Sequence, residues 1–225
     1  MRKPKLRELK EAATAILRGP YTVKYPREPS IPPETFRGKP EFVEEECVGC
    51  GACAQICPAR AIEVTDVIAT HISSPLKGED QGEGEKTKQS QPSGKRNITL
   101  HYDHCIFCGQ CQRYCTTGKG IKLTNEYDLA TLNRAEAKVE VEKDLVICEH
   151  CGAVIGTAYH IRWVAQKLGA KAYANLGLAL MLYKDLDLVP EIAPRPEIPL
   201  TRADHVRFLC PRCRRELILF EQWGP

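Results

Sequence analysis

Residues 47–58 run C-V-G-C-G-A-C-A-Q-I-C-P, from Cys47 to Pro58, and their spacing decides the fold. Four thiolates in a C-x2-C-x2-C-x3-C run are soft ligands suited to iron, set closely enough along the chain to grip a cluster. The pattern recurs at Cys105, Cys108, Cys111 and Cys115 with identical spacing, but Thr116 stands where the first run has Pro58. Two matching runs make iron–sulfur clusters the expected cofactor, ahead of disulfides or a pair of zinc sites.

The spacing is that of bacterial ferredoxins, and in their two-cluster form the fourth cysteine of each run serves the other cluster. One 4Fe-4S cluster is therefore expected on Cys47, Cys50, Cys53 and Cys115, and a second on Cys105, Cys108, Cys111 and Cys57. Gly49, Gly51, Ala52 and Gly109 lie between the ligands, where small residues let the backbone wrap closely and aim N–H groups at sulfur. Thr116 restores an N–H that a proline lacks, and a donor beside a ligand is expected to raise the potential of the adjacent cluster.

The chain has 225 residues, 43% of them hydrophobic, which suits one or two globular domains, and twelve cysteines, which is far above ordinary usage. Its basic start, Met1 to Lys10, leads into an apolar stretch, Ala12 to Leu17, too short for a secretory signal and approached through Glu8 and Glu11. A reducing cytoplasm is the expected compartment, where clustered thiols mean metal. The longest apolar stretch, Leu176 to Tyr183, is far too short for a membrane span. A net charge of +3 does not argue for nucleic acid, although Arg212, Arg214 and Arg215 gather near the end.

Leu6, Leu9, Ala13, Ile16 and Leu17 recur at helical spacing, so Lys5 to Leu17 is expected to form an amphipathic helix ended by Gly19 and Pro20. Such a basic helix suits docking on a partner subunit or an anionic surface, or packing on its own domain. Tyr21 to Pro40 is rich in proline and is expected to be an extended arm. A strand is expected over Ala61 to Ile72, with Ile62, Val64, Val67 and Ile68 toward the core, and another over Asn97 to Tyr102. Residues 73–96, with Leu76 as their one large apolar side chain, are expected to be a disordered insertion.

With those residues in view, a resemblance emerges. The amphipathic helix, G-P-Y-T-V-K-Y-P (Gly19 to Pro26), F-R-G-K-P-E-F (Phe36 to Phe42), the two cysteine runs and N-E-Y-D-L-A-T-L-N-R (Asn125 to Arg134) follow one another in order. In this order they resemble the 8Fe ferredoxin-like electron-transfer subunit of respiratory complex I, and more closely its relatives in group 4 membrane-bound nickel–iron hydrogenases and formate hydrogenlyases. The resemblance covers residues 1–134. It implies an electron relay within a membrane-associated oxidoreductase complex, peripheral on the cytoplasmic face, with a proximal-cluster subunit and a large catalytic subunit as partners. No catalytic residue of its own is expected, because no nucleophile–base or acid–base set is present. The missing second proline and the insertion depart from the family pattern.

The last third carries two further knuckles, Cys148-Glu-His-Cys151 and Cys210-Pro-Arg-Cys213. Four cysteines at such spacings form a closed structural zinc site, with a single rubredoxin-type iron as the alternative. Helices are expected over Tyr159 to Leu168 and Leu176 to Tyr183. Pro190, Pro194, Pro196 and Pro199 then suggest an extended return, with strands over Val206 to Leu209 and Glu216 to Phe220 flanking the final knuckle. His150 is expected to be solvated or to support a ligand, and His101 and His104 to be surface residues at a strand end rather than proton carriers.

The expected fold is α+β: residues 1–46 form a helix and docking arm, 47–134 a two-cluster ferredoxin-like core, and 135–225 a zinc-ribbon-like module with a helical insertion. The alternative function is a diffusible ferredoxin with a metal-binding tail. A nucleic-acid-binding ribbon is disfavoured by low charge and few aromatic residues.

Overall fold

Hydrophobic alternation and the two cysteine runs together build a sheet with the runs looped against one face of it. The computed structural model describes residues 5–19, 22, 24–25, 27–68, 94–189, 192 and 194–219. These fall into two units, 1–36 and 37–225.

In the first unit, helix α1 spans Leu6–Arg18. The Glu8 carboxylate accepts the Lys5 N–H at 2.9 Å, satisfying a free donor at the helix start, and Arg7 pairs with Glu11 one turn on. Leu6, Leu9, Ile16 and Leu17 are all exposed, so the apolar stripe lies open within this unit. Pro20 of the expected helix stop, and Tyr21, Val23 and Pro26 of the expected arm, lie outside the described residues.

The second unit opens with β1, Pro40–Phe42, and proceeds through α2, Ala52–Ile56, β2, Ile62–Ile68, β3, Gly94–His101, α3, Gln110–Arg113, and β4, Ile121–Leu123. β1 pairs antiparallel with β4, and β2 with β3, so each cysteine run is bracketed by one strand of each pair. This is the two-fold arrangement of a ferredoxin. Ala61, Ile62, Ile98, Leu100, Ile121 and Val141 form the core beneath the runs, and six of the cysteines pack against it. Full burial of Ile98, Leu100 and Ile121 contributes about 1.5–3 kcal/mol each.

Alternation corrects one expected core residue. Ile62 and Val64 face inward and Val67 is exposed, because a strand's faces alternate and the inward place at that level belongs to Asp66. The expected insertion also loses its end: Gly94, Lys95 and Arg96 belong to β3, with Gly94 buried opposite Ile68. Residues 69–93, which hold the rest of that insertion and the end of the first expected strand, lie outside the described residues.

The sheet continues past residue 134. β5, Lys138–Ile147, pairs with β3, and β6, Val154–Thr157, pairs with β5, giving the order β2-β3-β5-β6. Ile62, Leu100 and Val139 form one cross-strand row on the inner face, and Val64, Ile98 and Val141 the next. The third row is Asp66, Arg96 and Lys143. Helices α4, Ala158–Leu168, and α5, Leu176–Asp185, follow where the apolar spacing places them, with Thr157 and Asn175 capping their first turns.

The two strands expected beside the last knuckle are absent from the described residues. Arg202–Val206 is a 3-10 turn and Pro211–Leu219 is helix α6. Pro211 supplies the fixed φ suited to a first helical position, and Cys213 and Leu217, one turn apart, are both buried. Phe220 lies outside the described residues. Among the described residues no helix is long and apolar enough to cross a membrane.

Backbones approach closely at Gly38, whose N–H donates to the Thr124 carbonyl at 3.1 Å. A Cβ there would stand 2.3 Å from the Glu126 carbonyl oxygen and 2.6 Å from that of Thr124, both backbone atoms that cannot swing away. Gly38→Ala is expected to part the β1–β4 edge and destabilise the cluster-loaded protein by about 1–3 kcal/mol, read as a lower thermal unfolding midpoint.

Candidate metal and cluster sites

Each run wraps from a loop into a short helix. Cys53 lies in α2 and Cys111 in α3, and the fourth cysteines, Cys57 and Cys115, follow the helix ends. The thiols of Cys47, Cys50, Cys53 and Cys115 line one cavity floored by Phe42 and Ile98. The Cys115 thiol acts electrostatically on Cys47, and that of Cys57 on Cys105, so each run's last thiol lies beside the other run's first.

Burial raises the thiols of Cys47 and Cys105, pushes Cys111 up to about 11 and drives Cys53 to about 12. Neutral thiols are therefore stable in these pockets, and the thiolate ligand state needs a cation beside it. Cys115 is the exception. Burial pushes it up as well, but the Thr117 hydroxyl and the N–H groups of Thr117, Gly120 and Gly118 outweigh burial and hold it below its ordinary value.

Hydrogen bonding to sulfur follows the same pattern. The Ala61 N–H donates to Cys57 Sγ at 3.2 Å and the Phe107 N–H to Cys105 Sγ at 3.4 Å. Thr117 Oγ1 lies 3.4 Å from Cys115 Sγ, and Thr116 Oγ1 lies 3.1 Å from Cys50 Sγ. The two threonines after Cys115 thus touch sulfurs of both runs. Soft donors, converging N–H groups and a shared apolar floor fit a pair of iron–sulfur clusters.

The loop of the first run is also clamped from the sheet. Lys143 Nζ donates to the Glu44 carbonyl at 2.6 Å, Arg96 Nη1 to that of Gly49 at 3.1 Å, and the buried Thr157 hydroxyl to that of Val48. Gly49 has φ +67°, and a Cβ on it would meet Thr157 Cγ2 at 2.9 Å and Lys143 Cγ at 3.0 Å, so conformation and space both demand glycine. None of these three side chains stood out in the cysteine pattern. The available signal was the alternation K-V-E-V-E-K over residues 138–143, which sets Lys143 on the face of Val139 and Val141.

The four thiols of Cys148, Cys151, Cys210 and Cys213 lie within 4.8 Å of one another. Cys148 follows β5 and Cys151 sits in the turn to β6, while Cys210 and Cys213 enter α6. The two knuckles are joined by Glu149, whose N–H donates to the Phe208 carbonyl at 2.8 Å and whose carboxylate accepts the Phe208 N–H at 3.2 Å. Arg207 Nη2 donates to the Glu149 carbonyl at 2.6 Å. Cys151 and Cys210 sulfurs are 3.7 Å apart, close to the edge of about 3.8 Å that a tetrahedron with metal–sulfur bonds of about 2.3 Å requires. Although burial opposes it, the Cys213 N–H and the neighbouring thiols draw the Cys210 thiol down to about 7. The donor set fits a tetrahedral metal ion.

The histidines stay outside these sets. His150 Nδ1 is buried without a hydrogen-bond partner among the described residues. His101 and His104 sit at the end of β3, ring centroids 5.9 Å apart, with His101 Nε2 3.9 Å from Glu63.

Residues 46–119 match the 4Fe-4S dicluster domain family. The chain is 32% identical over 119 residues to NAD(P)H-quinone oxidoreductase subunit I of Gloeobacter violaceus, covering 53% of this chain and 48% of that one. It is 30% identical to NADH-quinone oxidoreductase subunit I 2 of Geobacter metallireducens, covering 59% of this chain and 89% of that one. It is 44% identical over 55 residues to formate hydrogenlyase subunit 6 of Escherichia coli K12, covering 24% of this chain and 31% of that one. The chain thus spans about half the length of the Gloeobacter relative and a third of the Escherichia one.

Two changes at one position separate amide from hydroxyl. Thr116→Pro removes both the N–H and the hydroxyl, and Thr116→Val keeps the N–H and the side-chain shape but removes the hydroxyl 3.1 Å from Cys50 Sγ, so the difference between them reports the N–H. Each is expected to lower a cluster midpoint potential in redox titration, the valine variant at the cluster that includes Cys50. Unchanged midpoints in both would show that Thr116 does not tune the potential.

Proposed function

The chain belongs to the subunit I family of NADH-quinone oxidoreductases, and on that premise we propose that it is an electron-transfer subunit relaying electrons through two 4Fe-4S clusters. Cys47, Cys50, Cys53 and Cys115 would hold one cluster, and Cys105, Cys108, Cys111 and Cys57 the other. The single observation that carries this reading is the crossing: Cys115 lines the cavity of the first run, and Cys57 acts on Cys105. Bound there, the clusters would supply one-electron redox chemistry, while the chain excludes water and aims N–H groups at sulfur.

The assembly we infer is a membrane-associated oxidoreductase complex of the hydrogenase, formate hydrogenlyase or complex I type. This chain would be peripheral on its cytoplasmic face, between a proximal-cluster subunit and a large catalytic subunit. The apolar stripe of α1, open within its own unit, supports a docked subunit over a diffusible ferredoxin, which has no use for such a surface.

At Cys148, Cys151, Cys210 and Cys213 we infer structural zinc, because four thiolates close the coordination sphere and leave no position for a substrate. The module differs from a two-hairpin ribbon in that one knuckle is a hairpin turn and the other opens a helix. A single iron would suit the same sulfur geometry.

Mild-detergent affinity isolation of the tagged chain from native membranes tests the reading. Recovery with a catalytic subunit and membrane-integral proteins is the expected outcome, and recovery alone from the soluble fraction would overturn the relay assignment. Metal and acid-labile sulfide analysis of the anaerobically purified chain should give about eight cluster irons and about one zinc. About nine irons without zinc would assign iron to the four-cysteine site.

A further inference from the structure

The inner face of the sheet carries one charged row among apolar ones: Asp66, Arg96 and Lys143, aligned across β2, β3 and β5. Asp66 and Arg96 neutralise each other through two parallel hydrogen bonds of 2.7 Å, and the Arg96 guanidinium beside Asp66 holds that carboxyl below its usual value. Lys143 has no such partner. It is 4% exposed, no carboxylate pairs with it among the described residues, and its ammonium meets only the Glu44 carbonyl and the Tyr159 ring, 4.5 Å to the centroid. The neighbouring acids on its own strand, Glu142 and Asp144, point to the opposite face, where Glu142 pairs with Lys95.

A buried cation without a countercharge is costly, and placing it directly across from Arg96 adds like-charge repulsion. One carbonyl and one aromatic face do not offset the loss of water around an ammonium. The compensating anion must therefore lie on the side that the row faces, and that side is the loop of Cys47 and Cys50. The Lys143 stem would touch a Cβ at Gly49, and its charge acts on Cys47 as that of Arg96 acts on Cys50. The loop of the second run has no equivalent: its one cationic contact of this kind among the described residues is Arg37 Nη1 to the Cys108 carbonyl at 3.3 Å, an exposed pair.

We propose that the surplus positive charge of the Asp66–Arg96–Lys143 row, carried by buried Lys143, is the counter-ion of the cluster held by Cys47, Cys50, Cys53 and Cys115, and biases it toward reduction. Adding one electron from a one-electron donor, with no proton, makes that four-thiolate site one charge more negative. A fixed ammonium stabilises the added charge in a low-dielectric pocket. The cluster of the first run becomes the place where an electron rests, and the second the lower-potential side. Lys143 acts here as a positioning and tuning residue that lies outside both cysteine runs. The proposal rests on the two-cluster reading above.

Redox titration of the full, cluster-loaded chain, with the reduced clusters followed by electron paramagnetic resonance, tests it. Lys143→Met keeps the side-chain bulk and removes the charge. With iron content unchanged, the reduced-to-oxidised ratio of one cluster at fixed potential should fall at least tenfold, equivalent to 59 mV for one electron, while the other moves much less. Lys143→Arg should restore it, and Thr157→Val, which breaks the clamp on Val48 without altering charge, should move it far less. Full iron content with both midpoints unchanged in K143M would overturn the proposal. Should K143M lose iron, Asp66→Asn provides the second arm: it frees the Arg96 charge, so the same midpoint must rise, and an unmoved midpoint overturns the proposal. Fewer than two reducible clusters in the unaltered chain would instead refute the two-cluster reading.

Discussion

The structure depends on where each run leaves its fourth cysteine. Between the third and fourth cysteines of each run the chain turns helical, α2 or α3, and the fourth cysteine lies past the helix end. Cys115 there lines the cavity of the first run, and Cys57 acts on Cys105. Two such runs facing each other bring each fourth thiol toward the opposite run. The β1–β4 and β2–β3 pairings, which join residues on either side of each run, are the framework that makes them face. Sequence spacing, helix length and sheet pairing are one constraint expressed at three levels.

The cysteine runs and the helices α4 and α5 were legible because their signals are local: fixed ligand spacing in one case, apolar residues at i, i+3 and i+4 in the other. What escaped was set by longer range or by competing signals. β5 alternates cleanly through Val139, Val141 and Leu145, but the charges at Glu140, Glu142, Lys143 and Asp144 mask it, and only pairing with β3 fixes it as a strand. At the last knuckle, the short apolar runs in Val206 to Leu209 and Glu216 to Phe220 suggest strands, although Glu216, Leu217 and Leu219 are good helix formers. Pro211 and the one-turn spacing of Cys213 and Leu217 favour a helix, and burial against Leu209 decides for it. Val67 was misplaced because a β-branched residue suggests burial, whereas the strict two-residue period gives its face to solvent.

The site was half legible for the same reason. Ligands declare themselves by spacing, but the residues that set the environment of the ligands do not. Lys143 lies far from Cys47 in sequence and in an ordinary stretch of alternating charge; only register across β3 shows that it shares a row with Arg96 and faces the first run. Thr157, Arg96 and Lys143 each bond a different carbonyl of that loop, and such contacts follow from the fold rather than from any local pattern.

That register also connects the two metal-binding parts of the chain. β5 carries Lys143 at its middle and Cys148 just past its end, and the hairpin turn that returns as β6 is itself the first knuckle. A strand slipped by one residue turns every side chain to the opposite face, which would send Lys143 to solvent and Asp144 toward the cysteines of the first run. The irregularity between Val146 and Ile147 shows that pairing near the turn is not strictly regular, so this end needs fixing. Cys148 held among Cys151, Cys210 and Cys213, with Glu149 bonded to Phe208, fixes it. The four-cysteine group thereby helps to hold the register that sets which charge faces the first run.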